Sequence, residues 1–180
     1  EMNQFPSQTE GGIINVYDDV RYQEILGFGG SFTESSAYLY SCLSGEEKRR
    51  FLELYFDEQK GIGYNFGRTH INSCDFSLGI YASVKEGDAT LATFDLQREK
   101  QYIIPFLKDV LSYCKQELVL FASPWSPPAY MKDNGNMCGG GKLLSEYKSV
   151  WAHYYAKYIK AMAEEGIKIS AVTVQNEPNA

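Results

Sequence analysis

The chain alternates between short apolar segments with strand character and longer segments with helical periodicity. Apolar segments lie at 24–32, 62–71, 118–122 and 167–174, and the clearest helical pattern runs from 143 to 165. A strand–helix succession of this kind forms parallel strands joined by right-handed crossovers. The sequence therefore predicts an α/β fold that supplies about the first four units of a (β/α)8 TIM barrel. A compact open sheet of four or five strands is the alternative.

Local signals mark where several elements begin and end. Glycines at 27, 29 and 30 predict a tight turn after the first apolar segment, and prolines from 124 onward predict the end of the third. Ser44 with Glu47 predicts a capping box at the start of a helix, and Gly166 predicts the stop of the helix over 143–165. The fourth segment is apolar on both faces toward its end, as expected of a parallel strand that is covered on both sides. His153 is predicted to lie on the exposed face of its helix.

The predicted domain organisation follows from the length. An eight-stranded barrel typically needs ~250 residues, whereas this chain has 180. We therefore expect residues 21–180 to form the first half of a barrel domain, truncated after strand four. Residues 1–20 contain the short apolar run 13–17 and are expected to form an N-terminal segment that belongs to a neighbouring β-module.

Composition and charge exclude several classes of function. The chain is 44% hydrophobic, and its 23 acidic and 17 basic residues give a net charge of -6 with the basic residues mostly scattered. This pattern predicts no binding of nucleic acid and no attraction to an anionic membrane. No apolar run approaches the roughly 20 residues that span a bilayer, so no stable membrane insertion is expected. The four cysteines and two histidines have no metal-site spacing, and no cofactor is expected. The cysteines do not distinguish a secreted from a cytoplasmic location.

Polar side chains follow each of the four predicted strands. Glu34 follows the first, Arg68 lies at the second, Trp125 follows the third, and Asn176 and Glu177 follow the fourth. In a parallel barrel the carboxyl ends of the strands meet at one mouth, where catalytic residues lie. Carboxylate, amide and guanidinium groups hydrogen-bond to sugar hydroxyls, and an indole packs against the apolar face of a pyranose. The combination predicts a carbohydrate site with Glu177 as the first candidate for an acid or base.

Each of these residues also has a structural interpretation when it is taken alone. Trp125, which lies between prolines, fits a hydrophobic plug as well as it fits a sugar-stacking surface. Arg68 could pair with Asp75, and a glutamate at the start of a loop is commonplace. His70, at the second strand end, is more often a hydrogen-bonded structural histidine, and it stays a secondary candidate for substrate binding.

Four motifs occur in order along the chain and together resemble a known family. They are Gly-Phe-Gly-Gly-Ser-Phe-Thr-Glu at 27–34, Asn-Ser-Cys-Asp-Phe-Ser at 72–77, Ala-Ser-Pro-Trp-Ser-Pro-Pro-Ala-Tyr-Met-Lys at 122–132, and Thr-Val-Gln-Asn-Glu-Pro at 173–178. With these motifs the chain resembles glycoside hydrolase family 30, which contains glucosylceramidases, endo-β-1,6-glucanases and β-xylosidases.

The resemblance implies a (β/α)8 barrel with an attached β-sandwich and retaining hydrolysis of β-linked sugars. Glu177 matches the acid/base of the family, and Asn176 matches the residue that hydrogen-bonds to the 2-hydroxyl. Trp125 matches the aromatic wall of the glycone subsite. Arg68 falls where related barrels place an arginine that orients the nucleophile. Glu34 matches an acidic position that contacts distal sugar hydroxyls, although lysosomal members have Asp there.

The nucleophile of the family is a glutamate at the end of the seventh strand, which this chain does not reach. We therefore expect the whole protein to act on glucosylceramide-like β-glucosides or β-glucans, and the 180 residues alone to be inactive. The unpaired edges of a half barrel predict self-association. The alternatives are a non-catalytic carbohydrate-binding domain, or a β-xylosidase or endo-glucanase of the same clan.

Overall fold

The computed structural model describes residues 12 and 14–179 of the chain. Its strands and helices, in chain order, are β1 (Gly29–Phe32), α1 (Glu34–Ser41), α2 (Gly45–Phe56), β2 (Phe66–Ile71), α3 (Ile103–Tyr113), β3 (Val119–Pro124), α4 (Lys148–Glu164) and β4 (Ala171–Val172). Short 3₁₀ turns lie at Glu99–Gln101, Ala129–Met131 and Ser145–Tyr147. The predicted alternation of strands and helices is confirmed.

The four strands form one parallel sheet in the order β1, β2, β3, β4. Each connection between neighbouring strands contains at least one helix, as expected of βαβ units. Arg68 of β2 lies opposite Phe121 of β3, and His70 lies opposite Ser123. All four strands run in the same direction, so their carboxyl ends lie at one edge of the sheet.

The two faces of the sheet differ because side chains alternate along a strand. In β3, Leu120 and Ala122 are buried in the core that the helices share. Phe121 belongs to the other face, where its ring lies 5.5 Å from that of Phe66. Arg68 and Ser123 also point to this second face and hydrogen-bond to each other. The second face thus carries polar side chains toward the carboxyl ends of the strands.

The hydrophobic core fills the space between the sheet and the helices. Helix α4 contributes large aromatic side chains, and α3 contributes a continuous aliphatic stripe at helical spacing. Fully or almost fully buried members include Ile71, Ile103, Leu107, Val110, Leu120, Tyr154, Tyr158, Met162 and Ile167. Their burial fixes the helices on the sheet and so fixes where the strand ends lie.

The glycine-rich segment before α1 has a different role from the predicted tight turn. Gly29 is the first residue of β1 and pairs with Phe66. A Cβ atom at position 29 would overlap the backbone carbonyl of Phe66, so only glycine allows this approach between β1 and β2. The strand itself begins at Gly29, later than the predicted residue 24.

Two helices, rather than one, connect β1 and β2. The predicted capping box at the start of α2 is confirmed, since Ser44 and Glu47 hydrogen-bond to each other's backbone N–H groups. Helix α1 was not predicted. It begins at a second capping box, which Thr33 and Ser36 form. Serine replaces the usual glutamate or glutamine in that box, which hides the signal.

The ends of the third and fourth strands also differ from the prediction. Pro124 was expected to lie beyond β3 but is its last residue, because its carbonyl accepts a hydrogen bond from Asn176 N at 2.8 Å and no N–H is required there. The fourth strand was expected to be buried on both faces over 167–174. It contains only two residues, and Val172 is 41% exposed; among the described strands only β3 pairs with it.

The segment before β1, His153 and the cysteines lie outside the sheet. Residues 14–28 contain no helix or strand, and most of the predicted 1–20 segment, including residues 1–11 and 13, lies outside the described residues, so its assignment to a β-module stays a prediction. His153 is exposed on α4, as predicted, and all four cysteines are free. In the described part of the chain, no helix has the length and apolarity needed to cross a bilayer.

Candidate functional site

A cavity of about 630 Å³ opens at the carboxyl ends of the strands. Its wall combines the segments that follow β2, β3 and β4 with a glycine-rich loop at 134–141. The chemically distinctive lining residues are Asp75, Trp125, Lys132, Gln175, Asn176 and Glu177. A smaller cavity of about 340 Å³ lies against the outer face of α4 and contains no carboxylate. The larger cavity is therefore the candidate site.

Arg68 contacts two of the residues that line the cavity, Trp125 and Asn176, although it does not itself line it. Its Nε donates to Ser123 Oγ at 2.9 Å, and its Nη2 donates to Asn176 Oδ1 at 2.7 Å. Its guanidinium carbon lies 4.6 Å from the centroid of the Trp125 ring, within the range of a cation–π interaction. One side chain on β2 thus contacts groups at the ends of β3 and β4. The predicted alternative, a pair between Arg68 and Asp75, does not occur.

Asn176 presents its amide in a defined orientation. Its backbone N–H donates to the Pro124 carbonyl at 2.8 Å, and its Oδ1 accepts from Arg68. Because the guanidinium can only donate, the side-chain oxygen must face Arg68. The Nδ2 group therefore points away from Arg68 as a donor, and it has no acceptor among the described residues.

Glu177 lies on the cavity wall in an unusual backbone conformation. Its φ is +47°, in the left-handed region that non-glycine residues rarely adopt. The residue is exposed, and its carboxylate makes no hydrogen bond or ion pair with any residue that the structure describes. Backbone conformations of this kind cost about 1–3 kcal/mol and concentrate at functional sites. The carboxylate is thus available to a bound molecule.

Trp125 is half-buried and lies on the same cavity as Glu177. Its carbonyl accepts from Gln175 Nε2 at 2.7 Å. The ring contacts the Arg68 guanidinium and lies at 85° to the His70 ring, with a centroid separation of 6.4 Å. The indole is therefore held by polar neighbours beside an open cavity, whereas a hydrophobic plug would be enclosed by apolar side chains.

The structure does not bring Glu34 to the cavity. Its side chain is only 1% exposed, and Oε1 pairs with Arg98 Nε at 2.5 Å. Its Oε2 accepts from the Leu78 backbone N–H at 2.7 Å. Both carboxylate oxygens are occupied by groups of the long loop after β2, because the Glu34 side chain turns into the protein from the first residue of α1. The expected contact of Glu34 with distal sugar hydroxyls stays a prediction.

His70 is enclosed by backbone groups. Its Nε2 accepts from the Glu34 N–H at 3.1 Å, so Nδ1 carries the proton and donates to the Asn72 carbonyl at 2.5 Å. Burial lowers the pKa of His70, which keeps the imidazole neutral. Both ring nitrogens of His70 therefore hydrogen-bond to the backbone. This is the geometry of a structural histidine, the more common of the two interpretations of the sequence.

Three lining residues were not selected as site residues from the sequence. Asp75 was noted as a partner for Arg68, and otherwise Asp75, Lys132 and Gln175 appeared only within the family motifs. Lys132 is 7% exposed, and its Nζ has one long hydrogen bond of 3.5 Å, to the Met137 carbonyl. Burial lowers the pKa of the Lys132 amine. Pattern alone could not find Lys132, because a single lysine in a proline- and glycine-rich stretch is typical of an exposed loop.

The donor set does not favour a metal. Among the described residues, no group of three or more His, Cys, Asp or Glu side chains is placed to hold an ion. The lining of the cavity offers carboxylates, amides, hydroxyls, thiols, one buried amine and an indole, and the Arg68 guanidinium contacts two of the lining residues, Trp125 and Asn176.

Comparisons with known proteins agree with this architecture. The glycosyl hydrolase family 30 TIM-barrel domain matches residues 25–180. The lysosomal acid glucosylceramidase of Mus musculus is 34% identical over 176 residues, which are 94% of this chain and 34% of the mouse protein. The endo-1,6-beta-D-glucanase of Neurospora crassa is 30% identical over 165 residues, which are 88% of this chain and 34% of the fungal protein.

A solved structure gives the same result. SrfJ from Salmonella typhimurium superposes with a TM-score of 0.83 at 42% identity, over 88% of this chain and 35% of SrfJ. The chain thus spans about a third of the length of the relatives that it matches. The matched region, the parallel sheet and the motif order lead to one assignment: the chain belongs to glycosyl hydrolase family 30 and carries part of its TIM-barrel domain.

Proposed function

We propose that this chain supplies the proton-donating part of the active site of a retaining β-glycoside hydrolase, with Glu177 as general acid and base. One observation carries the proposal: Glu177, Trp125 and Asn176 line a single cavity at the carboxyl ends of the strands. Cleavage of a glycosidic bond needs a carboxylic acid beside the leaving oxygen. The cavity volume of about 630 Å³ is also in the usual range for a small-molecule site.

The reaction requires two steps. In the first, a nucleophilic carboxylate forms a bond to the anomeric carbon while the glycosidic C–O bond breaks, and Glu177 gives its proton to the departing oxygen. In the second, the Glu177 carboxylate takes a proton from a water molecule, whose oxygen replaces the nucleophile on the anomeric carbon. The first step uses the protonated carboxyl group of Glu177 and the second its carboxylate. The side chain is free to face the departing oxygen and then the water, because no described residue hydrogen-bonds to it.

We assign the nucleophile to a carboxylate outside these 180 residues. The resemblance places it at the end of a seventh strand, and the sheet described here has four strands. Retaining enzymes hold their two carboxyl groups ~5 Å apart. We therefore propose that the 180 residues alone do not turn over a substrate.

The other residues of the site are suited to hold the sugar. Asn176 offers its Nδ2 as a donor, which fits the 2-hydroxyl contact implied by the family. Trp125 offers a flat apolar surface for a pyranose ring. Arg68, which the resemblance assigns to orienting the nucleophile, also fixes the Asn176 amide and the Trp125 ring in this structure.

We propose β-glucosides, either glucosylceramide-like glycolipids or β-glucans, as the substrate class. This rests on relatives that are described as a lysosomal acid glucosylceramidase and an endo-1,6-beta-D-glucanase. A β-xylosidase or an endo-glucanase of the same clan is the neighbouring alternative. Comparing kcat/KM for aryl β-glucosides, aryl β-xylosides and β-1,6-linked glucan distinguishes them.

The acid/base role is tested with Glu177→Gln in a protein with a complete barrel. For β-glucosides with poor leaving groups, we expect kcat/KM to fall by about 10²–10⁴-fold, because the leaving oxygen receives no proton. For a dinitrophenyl glucoside the glycosylation step should change much less, since that leaving group departs without a proton. Glu164→Gln, at an exposed position at the end of α4, is the control. Equal losses for both kinds of leaving group would exclude Glu177 as the acid.

The isolated chain tests the assignment of the nucleophile. It should show no aryl β-glucoside turnover, and turnover that disappears with Glu177→Gln would contradict the assignment. The unpaired edges of β1 and β4 should also make the isolated chain self-associate. Sedimentation as a stable monomer would argue against this.

Carbohydrate binding without catalysis is the second candidate, because the sugar contacts proposed for Trp125 and Asn176 do not depend on the Glu177 carboxyl group. In the complete protein both candidates predict that Glu177→Gln retains binding. Only the hydrolase predicts that glycosidic cleavage is present in the unsubstituted protein and disappears with this substitution.

A further inference from the structure

Asn72 occupies a position that no part of the proposed mechanism uses. It follows β2 directly, is completely buried, and has a φ of +61°. Asparagine is among the few non-glycine residues that tolerate this left-handed conformation. A fully buried amide in such a conformation needs hydrogen-bond partners, and its partners indicate what it does.

The Asn72 side chain connects three separate segments. Its Nδ2 donates to the Ser126 carbonyl at 3.1 Å, in the segment after β3. Its Oδ1 accepts from the Ser83 N–H at 3.2 Å, in the long loop after β2, and from the Tyr154 hydroxyl of α4. The Asn72 side chain thus makes three of the four hydrogen bonds available to an amide, one donated and two accepted.

The segment around Trp125 is held through its carbonyl groups. Three consecutive carbonyls each accept from a different donor: Pro124 from Asn176 N at 2.8 Å, Trp125 from Gln175 Nε2 at 2.7 Å, and Ser126 from Asn72 Nδ2 at 3.1 Å. Prolines at 124, 127 and 128 remove backbone N–H groups from this stretch. Carbonyl contacts are therefore the main means of fixing the backbone that carries the indole.

We propose that Asn72 is a positioning residue that sets the orientation of Trp125 for sugar binding by holding the Ser126 carbonyl. This inference rests on the proposed function. Asn72 itself does not line the cavity; it acts through the peptide that follows Trp125. Removing the amide frees one of the three carbonyls, and the indole then samples orientations that do not bind the sugar face.

The principal test is Asn72→Gly in a protein with a complete barrel. Glycine adopts a φ of +61° without strain, so the backbone path is kept while the donor to Ser126 is lost. We expect KM for an aryl β-glucoside to rise about tenfold, the effect of one hydrogen bond, while kcat changes less than threefold.

Tyr154→Phe is the matched control, because it removes the hydroxyl on the Oδ1 side of Asn72 and leaves the Nδ2 contact to Ser126. We expect a change in KM of less than twofold for this variant. If both variants raise KM equally, Asn72 acts through general stability of the loop and the proposal is wrong.

A spectroscopic measurement reports on the indole directly. In protein labelled with 5-fluorotryptophan, the ¹⁹F resonance of Trp125 is assigned by its loss in Trp125→Phe. We expect this resonance to shift or broaden in Asn72→Gly. Gln175→Ala, which removes the donor to the adjacent carbonyl, should give the same signature and serves if Asn72→Gly does not fold. An unchanged Trp125 resonance with unchanged KM overturns the proposal.

The outcomes separate this inference from the proposed function. Loss of activity in Glu177→Gln together with normal KM in Asn72→Gly would reject only the positioning role. Full activity in Glu177→Gln would reject the proposed acid/base, whatever Asn72→Gly shows.

Discussion

The buried carboxyl of Glu99 should make the stability of the fold depend on pH. Glu99 has no exposed surface and begins the 3₁₀ turn before α3. Its Oε1 accepts from the Tyr81 and Ser83 hydroxyls, both at 3.2 Å, and its Oε2 has no partner among the described residues. Desolvation by burial raises the pKa of Glu99 from 4.5 to about 7, against the lowering effect of these hydrogen bonds.

The sign and size follow from proton linkage. The folded protein keeps the Glu99 proton between pH 4.5 and about 7, whereas the unfolded chain releases it. The folded state therefore binds more protons in this window, and the free energy of unfolding falls as pH rises. A pKa difference of this size corresponds to about 3 kcal/mol, a substantial part of the 5–15 kcal/mol typical of a domain.

His70 contributes with the opposite sign, so the profile of the unsubstituted protein alone does not isolate Glu99. Burial lowers the pKa of His70, and the stability that its neutral form provides is lost as pH falls below the unfolded value of 6.5. The difference between Glu99→Gln and the unsubstituted protein removes this contribution, because His70 is common to both.

The assay is urea unfolding at several pH values from 5 to 8.5. We expect Glu99→Gln to change the free energy of unfolding little at pH 5 and to stabilise by up to about 3 kcal/mol at pH 8. Glu86→Gln, an exposed position in the same long loop, is the control and should give a constant difference. If the two unfolding profiles run parallel over the whole pH range, Glu99 does not retain its proton and the reasoning fails.

Two further substitutions test the contacts at the site. Arg68→Lys should raise KM about tenfold, because an ammonium group cannot contact Ser123 and Asn176 while it covers the Trp125 ring; unchanged steady-state kinetics would contradict the role of Arg68. Glu34→Gln should lower the free energy of unfolding by about 1–2 kcal/mol, a figure discounted because Arg98 is partly exposed. Its KM should stay within twofold, and a large KM increase would show that Glu34 does contact the sugar.

Much of the fold could be predicted because local signals and tertiary packing agree. The capping box of Ser44 and the stop at Gly166, whose φ is +82°, mark helix ends by side-chain and backbone chemistry alone. The positions of Trp125 and Asn176 after β3 and β4 followed from the parallel succession, whereas Arg68, expected at the end of the second strand, lies within β2. Periodicity does not show which donor contacts which acceptor, so the contacts of Arg68 with Asn176 and Trp125 could not be predicted.

The errors arose where tertiary contacts decide. Gly29 indicated a turn from sequence, but it serves the close approach of β1 to the Phe66 carbonyl. Glu34 follows a strand, as a site residue would, and the sequence does not show that Arg98, from a distant part of the chain, pairs with its carboxylate. Asn72 and Lys132 lie within the family motifs, but the sequence does not show their contacts, since these depend on which segments pack around them.

In the proposed mechanism, Glu177 gives a proton to the glycosidic oxygen of a sugar that is held against Trp125. The most direct measurement is a crystal structure of Glu177→Gln, in a protein with a complete barrel, bound to an uncleaved β-linked glucoside. We expect the side-chain amide of the Glu177→Gln variant to lie about 3 Å from the glycosidic oxygen, and the glucose ring to pack on the Trp125 indole. A glucoside bound away from Trp125, or with its glycosidic oxygen turned away from position 177, would contradict this mechanism.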